Sequence, residues 1–161
     1  LIEAALEQVL GAHDIETTAG ERAEIMAVYD DLEPFADVRD GLAALAESHA
    51  VYVLSMGTPS MLESLLEQAG IGDVVEDAIS VDEIRRYKPH TTVYHHGATR
   101  TGTPIENEAH VAGPSFDVRG AMAAGMQGVW IDRTGEPWDP CFPDPDLRID
   151  SFHDLENALN G

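Results

Sequence analysis

Ala50-Val51-Tyr52-Val53-Leu54-Ser55-Met56-Gly57-Thr58-Pro59 reads as a strand that runs directly into a helix. Residues 50–54 are a continuous apolar run, as expected of a strand buried on both faces. Thr58-Pro59 then opens a helix that Gly70 ends, with proline at the first helical position and glycine just past the last. The same alternation continues downstream. Asp77-Ala78-Ile79-Ser80 is a brief strand, and Pro89 precedes a helix over roughly 90–99. Ala109-His110-Val111-Ala112 is a strand, 115–124 a helix, and Gly128-Val129-Trp130-Ile131-Asp132 another strand. Residues 133–146, rich in Pro and Asp, are a loop; Arg148-Ile149 is a candidate edge strand, and Ser151 with Asp154 caps the last helix. Upstream, 2–11 and 19–30 read as amphipathic helices, the second with a Thr18/Glu21 capping box. Pro34 breaks that pattern, and Asp37 is placed to cap a helix over 38–48 with the stripe Val38, Leu42, Leu45 and Ala46.

Buried strands alternating with helices imply an α/β fold, with a parallel sheet flanked by helices and right-handed crossovers. Ligands gather beyond the carboxyl ends of such strands. Ser55 ends one strand just before a helix N-terminus, where free N–H groups favour a carboxylate or phosphate. Lys88 follows the next strand, and Asp117 lies in the first turn after the third. A hydroxyl, an ammonium and a carboxylate at successive strand ends make an anion site with an acid inside it.

Lys88 stands out on composition as well. It is the only lysine among 9 basic residues, set against 30 Asp plus Glu. A compact ammonium retained alone suggests a task that a guanidinium fork does not perform. The formal net charge of −21 excludes nucleic acid and anionic lipid as general partners, because both are polyanions. Such a surface suits a salty cytoplasm, since the Debye length is about 3 Å in molar salt. Hydrophobic residues make up 43% of the 161-residue chain, enough for a core in one domain with a small appendage. Cys141 is alone, so no disulfide or cysteine metal cluster is expected. No apolar run is long enough for a bilayer, no signal peptide is legible, and a cytoplasmic protein is expected. The chain opens at Leu1 as if within a helix, so residues preceding it are expected in the natural protein.

Four segments in order resemble the haloacid dehalogenase superfamily, and within it the L-2-haloacid dehalogenases. Leu32-Glu33-Pro34-Phe35-Ala36-Asp37-Val38 resembles that family's passage from cap to core, and Leu54 to Leu62 its second motif. Ser80-Val81-Asp82-Glu83 with Tyr87-Lys88-Pro89 and Val93-Tyr94 resembles the third. Val111 to Asp117, followed by Gly120-Ala121, Ala124-Gly125-Met126 and Trp130 to Arg133, resembles the fourth.

The resemblance implies a Rossmann-like core with a helical cap. Residues 1–32 would be the remainder of the cap and 33–161 the core without its first strand, which carries the family's aspartate nucleophile. It implies hydrolysis of a carbon–halogen bond of a small 2-haloacid through an aspartyl ester, with no cofactor. Lys88 would hold the nucleophile ionised, and Asp117 would orient Lys88 or the hydrolytic water. Ser55 and the turn Met56, Gly57 and Thr58 would bind the substrate carboxylate, with Phe116 and Pro114 lining the pocket. Met56 stands where the family usually has Asn, and Ala112-Gly113-Pro114 replaces a Ser-Ser-Asn stretch. The rival readings are a Mg²⁺-dependent phosphatase of the same superfamily and a non-catalytic relative. Phosphatases carry an acidic metal ligand at the position of Gly113, which has no side chain for an octahedral oxygen site. The family often forms dimers, and the apolar face of residues 2–10 is the candidate surface for a homodimer.

Other residues carry blander expectations. His95 and His96 point to different faces of a helix and read as surface histidines. His110 reads as a hydrogen-bonded core histidine, Trp130 as core and Trp138 as loop rim. Asp30-Asp31 and Asp144-Pro145-Asp146 read as solvated acidic surface and loop, and Cys141 as unreactive.

Overall fold

Pairing in the expected strands is parallel throughout. The computed structural model describes residues 2–30 and 32–160. The chain divides into two units, Leu1–Glu33 and Pro34–Gly161. In the first, helices α1 (Ile2–Ala12) and α2 (Ala19–Ala27) lead into a 3-10 turn over Val28–Asp30. The Thr18/Glu21 capping box is present, and Arg22 ties the two helices by reaching Glu7 at 2.6 Å and the Thr17 hydroxyl at 2.8 Å. Leu10 is buried there. Asp31 lies outside the described residues, as do Leu1 and Gly161.

The second unit runs α3 (Val38–Ala46), β1 (Tyr52–Ser55), α4 (Pro59–Ala69), β2 (Asp77–Ser80), α5 (Thr91–Thr101), β3 (Ala109–Ala112), α6 (Ser115–Ala124), β4 (Gln127–Ile131), β5 (Leu147–Ile149) and α7 (Phe152–Asn160). Strand β1 pairs with β2, while β3, β4 and β5 form a second sheet in that order. Among the described residues no ladder joins β1 to β3.

Side-chain alternation along the strands builds the layers. Val129 and Ile131 of β4 pack with Leu42 and Leu45 of α3 and Leu155 of α7. Trp130, between them in sequence, faces the other way onto Val118 of α6 and Ala112 of β3. Val51 and Val111 both pack on the first cluster, whereas Leu54 packs with Tyr94, Ala121 and Met126 under α5 and α6. The two sheets are therefore covered by the same helical layers.

Two expectations are corrected. The first strand was expected to be buried on both faces, yet every residue of β1 is only half-buried. Among the described residues it has one paired neighbour and no strand on its other edge. Asp37 makes no side-chain cap on α3. Its carboxylate instead accepts two hydrogen bonds from Arg133, each 2.8 Å, and one from the Phe152 N–H at 2.8 Å, so it pins the start of α7. The bond to Arg133 holds the Asp37 carboxyl at about 2.

Candidate active site

Lys88 follows β2 and Asp117 follows β3, and their side chains meet at 2.7 Å between Nζ and Oδ2. That single bond brings the carboxyl ends of the two sheets onto a common rim. Both side chains are 9% exposed, so the pair is screened little by solvent. Oδ1 of Asp117 accepts from the Tyr94 hydroxyl of α5 at 2.8 Å and from His110 Nε2 of β3 at 3.0 Å. The Tyr94 hydroxyl also lies 3.0 Å from the Asp117 carbonyl oxygen. The carboxylate is thus the node where β3, α5, α6 and the segment after β2 converge. It caps no helix; Pro114 occupies the N-cap of α6.

Burial pushes the Asp117 carboxyl up, but the hydrogen bond and charge of His110, then those of Lys88, outweigh it and hold it at about 2. Burial first, and then the Asp117 carboxylate, push the Tyr94 phenol above its usual range, so it remains a donor. Lys88 has three N–H groups and, among the described residues, Asp117 is its acceptor. The remaining N–H groups can hold a second anion.

A glycine permits this arrangement. A Cβ on Gly120, in the middle of α6, would collide with the Tyr94 hydroxyl and sit 2.7 Å from Pro89 Cβ. The helix can approach α5 and the Lys88-Pro89 segment only without one.

The turn after β1 is built differently. Ser55 Oγ accepts from the Gly57 N–H at 3.1 Å, and the Ser80 hydroxyl at the end of β2 donates to the Gly57 carbonyl at 2.6 Å. Thr58 caps α4 by accepting from the Met61 N–H at 3.4 Å. Pro59 has no N–H, so this helix end has fewer free donors than the sequence suggested. Among the described residues the Ser55 hydroxyl donates no hydrogen bond, so its proton faces no protein acceptor. Among the described residues no hydrogen bond links Ser55 to Lys88 or Asp117. Met56 and Phe116 are exposed apolar side chains. Gly113 offers a carbonyl to Trp130 Nε1 at 2.8 Å.

Tyr94 and His110 were not singled out for the site. Tyr94 was legible only as a flank of the third motif, although Gly120 signals a close approach to α6. His110 shares a strand face with Ala112, which packs towards α6. His96 is not a surface histidine: it is half-buried, and its Nε2 lies 3.2 Å from Glu83. His95 is exposed.

A hollow of about 630 Å³ opens beyond β4 and β5, lined by Asp132, Arg133, Arg148, Asp150 and Asp154 among others. Its arginines are already bound to Asp37 and Asp132. Lys88 therefore offers the better anchor for an added anion.

The profile of the haloacid dehalogenase-like hydrolases matches residues 1–125. The chain belongs to that family. It is similar to haloacetate dehalogenase H-2 of Moraxella sp. (strain B), with 31% identity over 90% of this chain and 65% of the relative. Its identity to the (S)-2-haloacid dehalogenase of Pseudomonas sp. (strain YL) is 28%, over 86% of this chain and 60% of that protein. The chain therefore spans about two thirds of the length of these haloacid dehalogenase-like relatives. A crystal structure of an L-2-haloacid dehalogenase superposes with a TM-score of 0.94 at 26% identity, covering 99% of this chain and 70% of the other. The L-2-haloacid dehalogenase of Xanthobacter autotrophicus, with chloropropionic acid covalently bound, gives 0.88 at 27% identity, over 99% and 74% of the two chains. No helix among the described residues is long and apolar enough to cross a membrane.

Proposed function

We propose that the full protein is a hydrolytic dehalogenase of small 2-haloacids and that Lys88 is the cation of its active site. The observation that carries this reading is the Lys88–Asp117 pair, 2.7 Å apart, which joins two sheets whose edge strands β1 and β3 have no ladder between them among the described residues. A parallel strand between those edges, contributed from outside this sequence, would deliver a carboxylate nucleophile to the rim. Residues 33–161 are then the core, and 1–32 belongs to the cap.

The nucleophile's oxygen attacks C2 of the substrate, the carbon–halogen bond breaks, and the halide leaves with the electron pair. The product is an ester between enzyme and substrate. Water adds to the ester carbonyl and the acyl C–O bond breaks; one water proton passes to the departing oxygen, the other to solvent, and the 2-hydroxy acid leaves as the carboxylate is restored. Lys88 keeps the nucleophile ionised and balances the negative charge that develops on the ester carbonyl oxygen as water adds. Asp117 fixes the ammonium. The Ser55 hydroxyl and the Gly57–Thr58 turn hold the substrate carboxylate, with Met56, Pro114 and Phe116 as an apolar wall.

The donor set does not suit Mg²⁺. Both Asp117 oxygens already accept from Lys88, His110 and Tyr94, Gly113 has no side chain, and no group of three acidic, His or Cys ligands occurs among the described residues. The net charge of −21 favours assay in molar salt, and the exposure of Val9 on α1 leaves an apolar face for a homodimer. The test is L-2-chloropropionate in EDTA against an aryl phosphate with Mg²⁺. Chloride release in EDTA is expected. Phosphate release only with metal would establish the phosphatase, and neither product the non-catalytic relative.

A further inference from the structure

His110 is a half-buried polar group to which the mechanism above gives no task. Its side chain is 12% exposed, and it sits on β3 between three groups of the site. Nε2 is 3.0 Å from Asp117 Oδ1 and 3.5 Å from Lys88 Nζ, and the Tyr94 ring meets the imidazole edge-on, with centroids 5.3 Å apart at 79°.

Donor chemistry fixes the sense of these contacts. An ionised carboxylate only accepts and an ammonium only donates. Nε2 must therefore carry its proton towards Asp117, and the 3.5 Å approach to Lys88 sets one donor against another. We propose that His110 is a positioning residue for Lys88, acting through Asp117: by donating to Oδ1 it reserves Oδ2 for the ammonium. This rests on reading Lys88 as the site's cation.

With Tyr94 and His110 both on Oδ1, that oxygen has no room for Lys88, and the imidazole bars the ammonium from sliding towards it. Lys88 is left one acceptor geometry, so its other N–H groups point in fixed directions. Without the imidazole, the flexible four-carbon stem could bridge both oxygens and turn those N–H groups away. The Tyr94 ring, itself fixed by its bonds to Asp117, holds the imidazole in place.

Lys88 is the only lysine of this sequence, which makes the test direct. The full natural protein is labelled with ¹⁵N-lysine and ¹⁵N-histidine, and the Lys88 ammonium signal is assigned by its loss in Lys88→Arg. His110→Phe removes the donor, and His110→Gln returns an amide N–H. Wild type and the Gln variant are expected to show a slowly exchanging Lys88 signal that broadens away in the Phe variant. The kcat for L-2-chloropropionate should fall about tenfold to a hundredfold in the Phe variant with KM little changed, and recover mostly in the Gln variant. An unaltered Lys88 signal and kcat in His110→Phe would overturn the proposal. So would a wild-type spectrum with the His110 proton on Nδ1 and none on Nε2, a result that needs no variant to fold. A wild type that releases no halide defeats the dehalogenase reading, while the two NMR signals still decide the role of His110.

Discussion

The turns after β1 and β3 treat their polar groups in opposite ways. After β1, Ser55 accepts from Gly57, Gly57 accepts from Ser80, and Thr58 accepts from the first turn of α4. After β3, the side-chain hydrogen bonding concentrates in one carboxylate that receives donors from three other segments. The first turn is a chain of separate bonds, local except for the Ser80 hydroxyl, so one change there alters a single ligand contact. The second exists only when distant segments meet, so one change there unsettles them all.

Removing the cation breaks the comparison most severely. Lys88→Met is expected to lower kcat/KM about 10³-fold and to destabilise the fold by about 3 kcal/mol, because Asp117 stays buried without its ammonium. Halide release and urea unfolding measure the two effects. Gly120→Ala tests whether close approach of α5 and α6 builds the node. The added methyl should cost about 2 kcal/mol of stability, read as a lower urea midpoint. At the other turn, Ser55→Ala should raise KM about tenfold while the unfolding midpoint hardly moves, since one ligand hydrogen bond is lost.

Acid sharpens the contrast further. The Asp117 carboxyl is held at about 2, below its ordinary 3.8, so the stability it contributes is full above that ordinary value and lost as pH falls towards 2. Urea midpoints should drop between about pH 4 and 2, and the slope should be shallower in Asp117→Asn. Ser55→Ala should keep the wild-type slope, because the β1 turn carries no titratable side chain.

Local chemistry made most of the fold legible. The Thr18/Glu21 box, the Thr58-Pro59 start and the Gly70 stop each depend on neighbours in sequence, and each is present. Asp37 failed as a cap because its partners, Arg133 and Phe152, lie about a hundred residues away, beyond the reach of any local rule. The same limit hid the full site. Lys88 and Asp117 were legible by composition and strand-end position, and the structure joins them. Tyr94 and His110 look like core residues until α5 and β3 are brought beside α6. The half-burial of β1 was also unreadable, since a continuous apolar run does not reveal whether both edges are paired.

The claim on which the account depends is that Lys88 and Asp117 act as one device. A double-mutant cycle on kcat in the full protein, with Lys88→Met, Asp117→Asn and both together, measures it directly. Partners in one device lose little more when both are removed than when one is. The double variant should therefore lie within about threefold of the worse single variant. Losses that multiply would contradict it, because each side chain would then be acting alone.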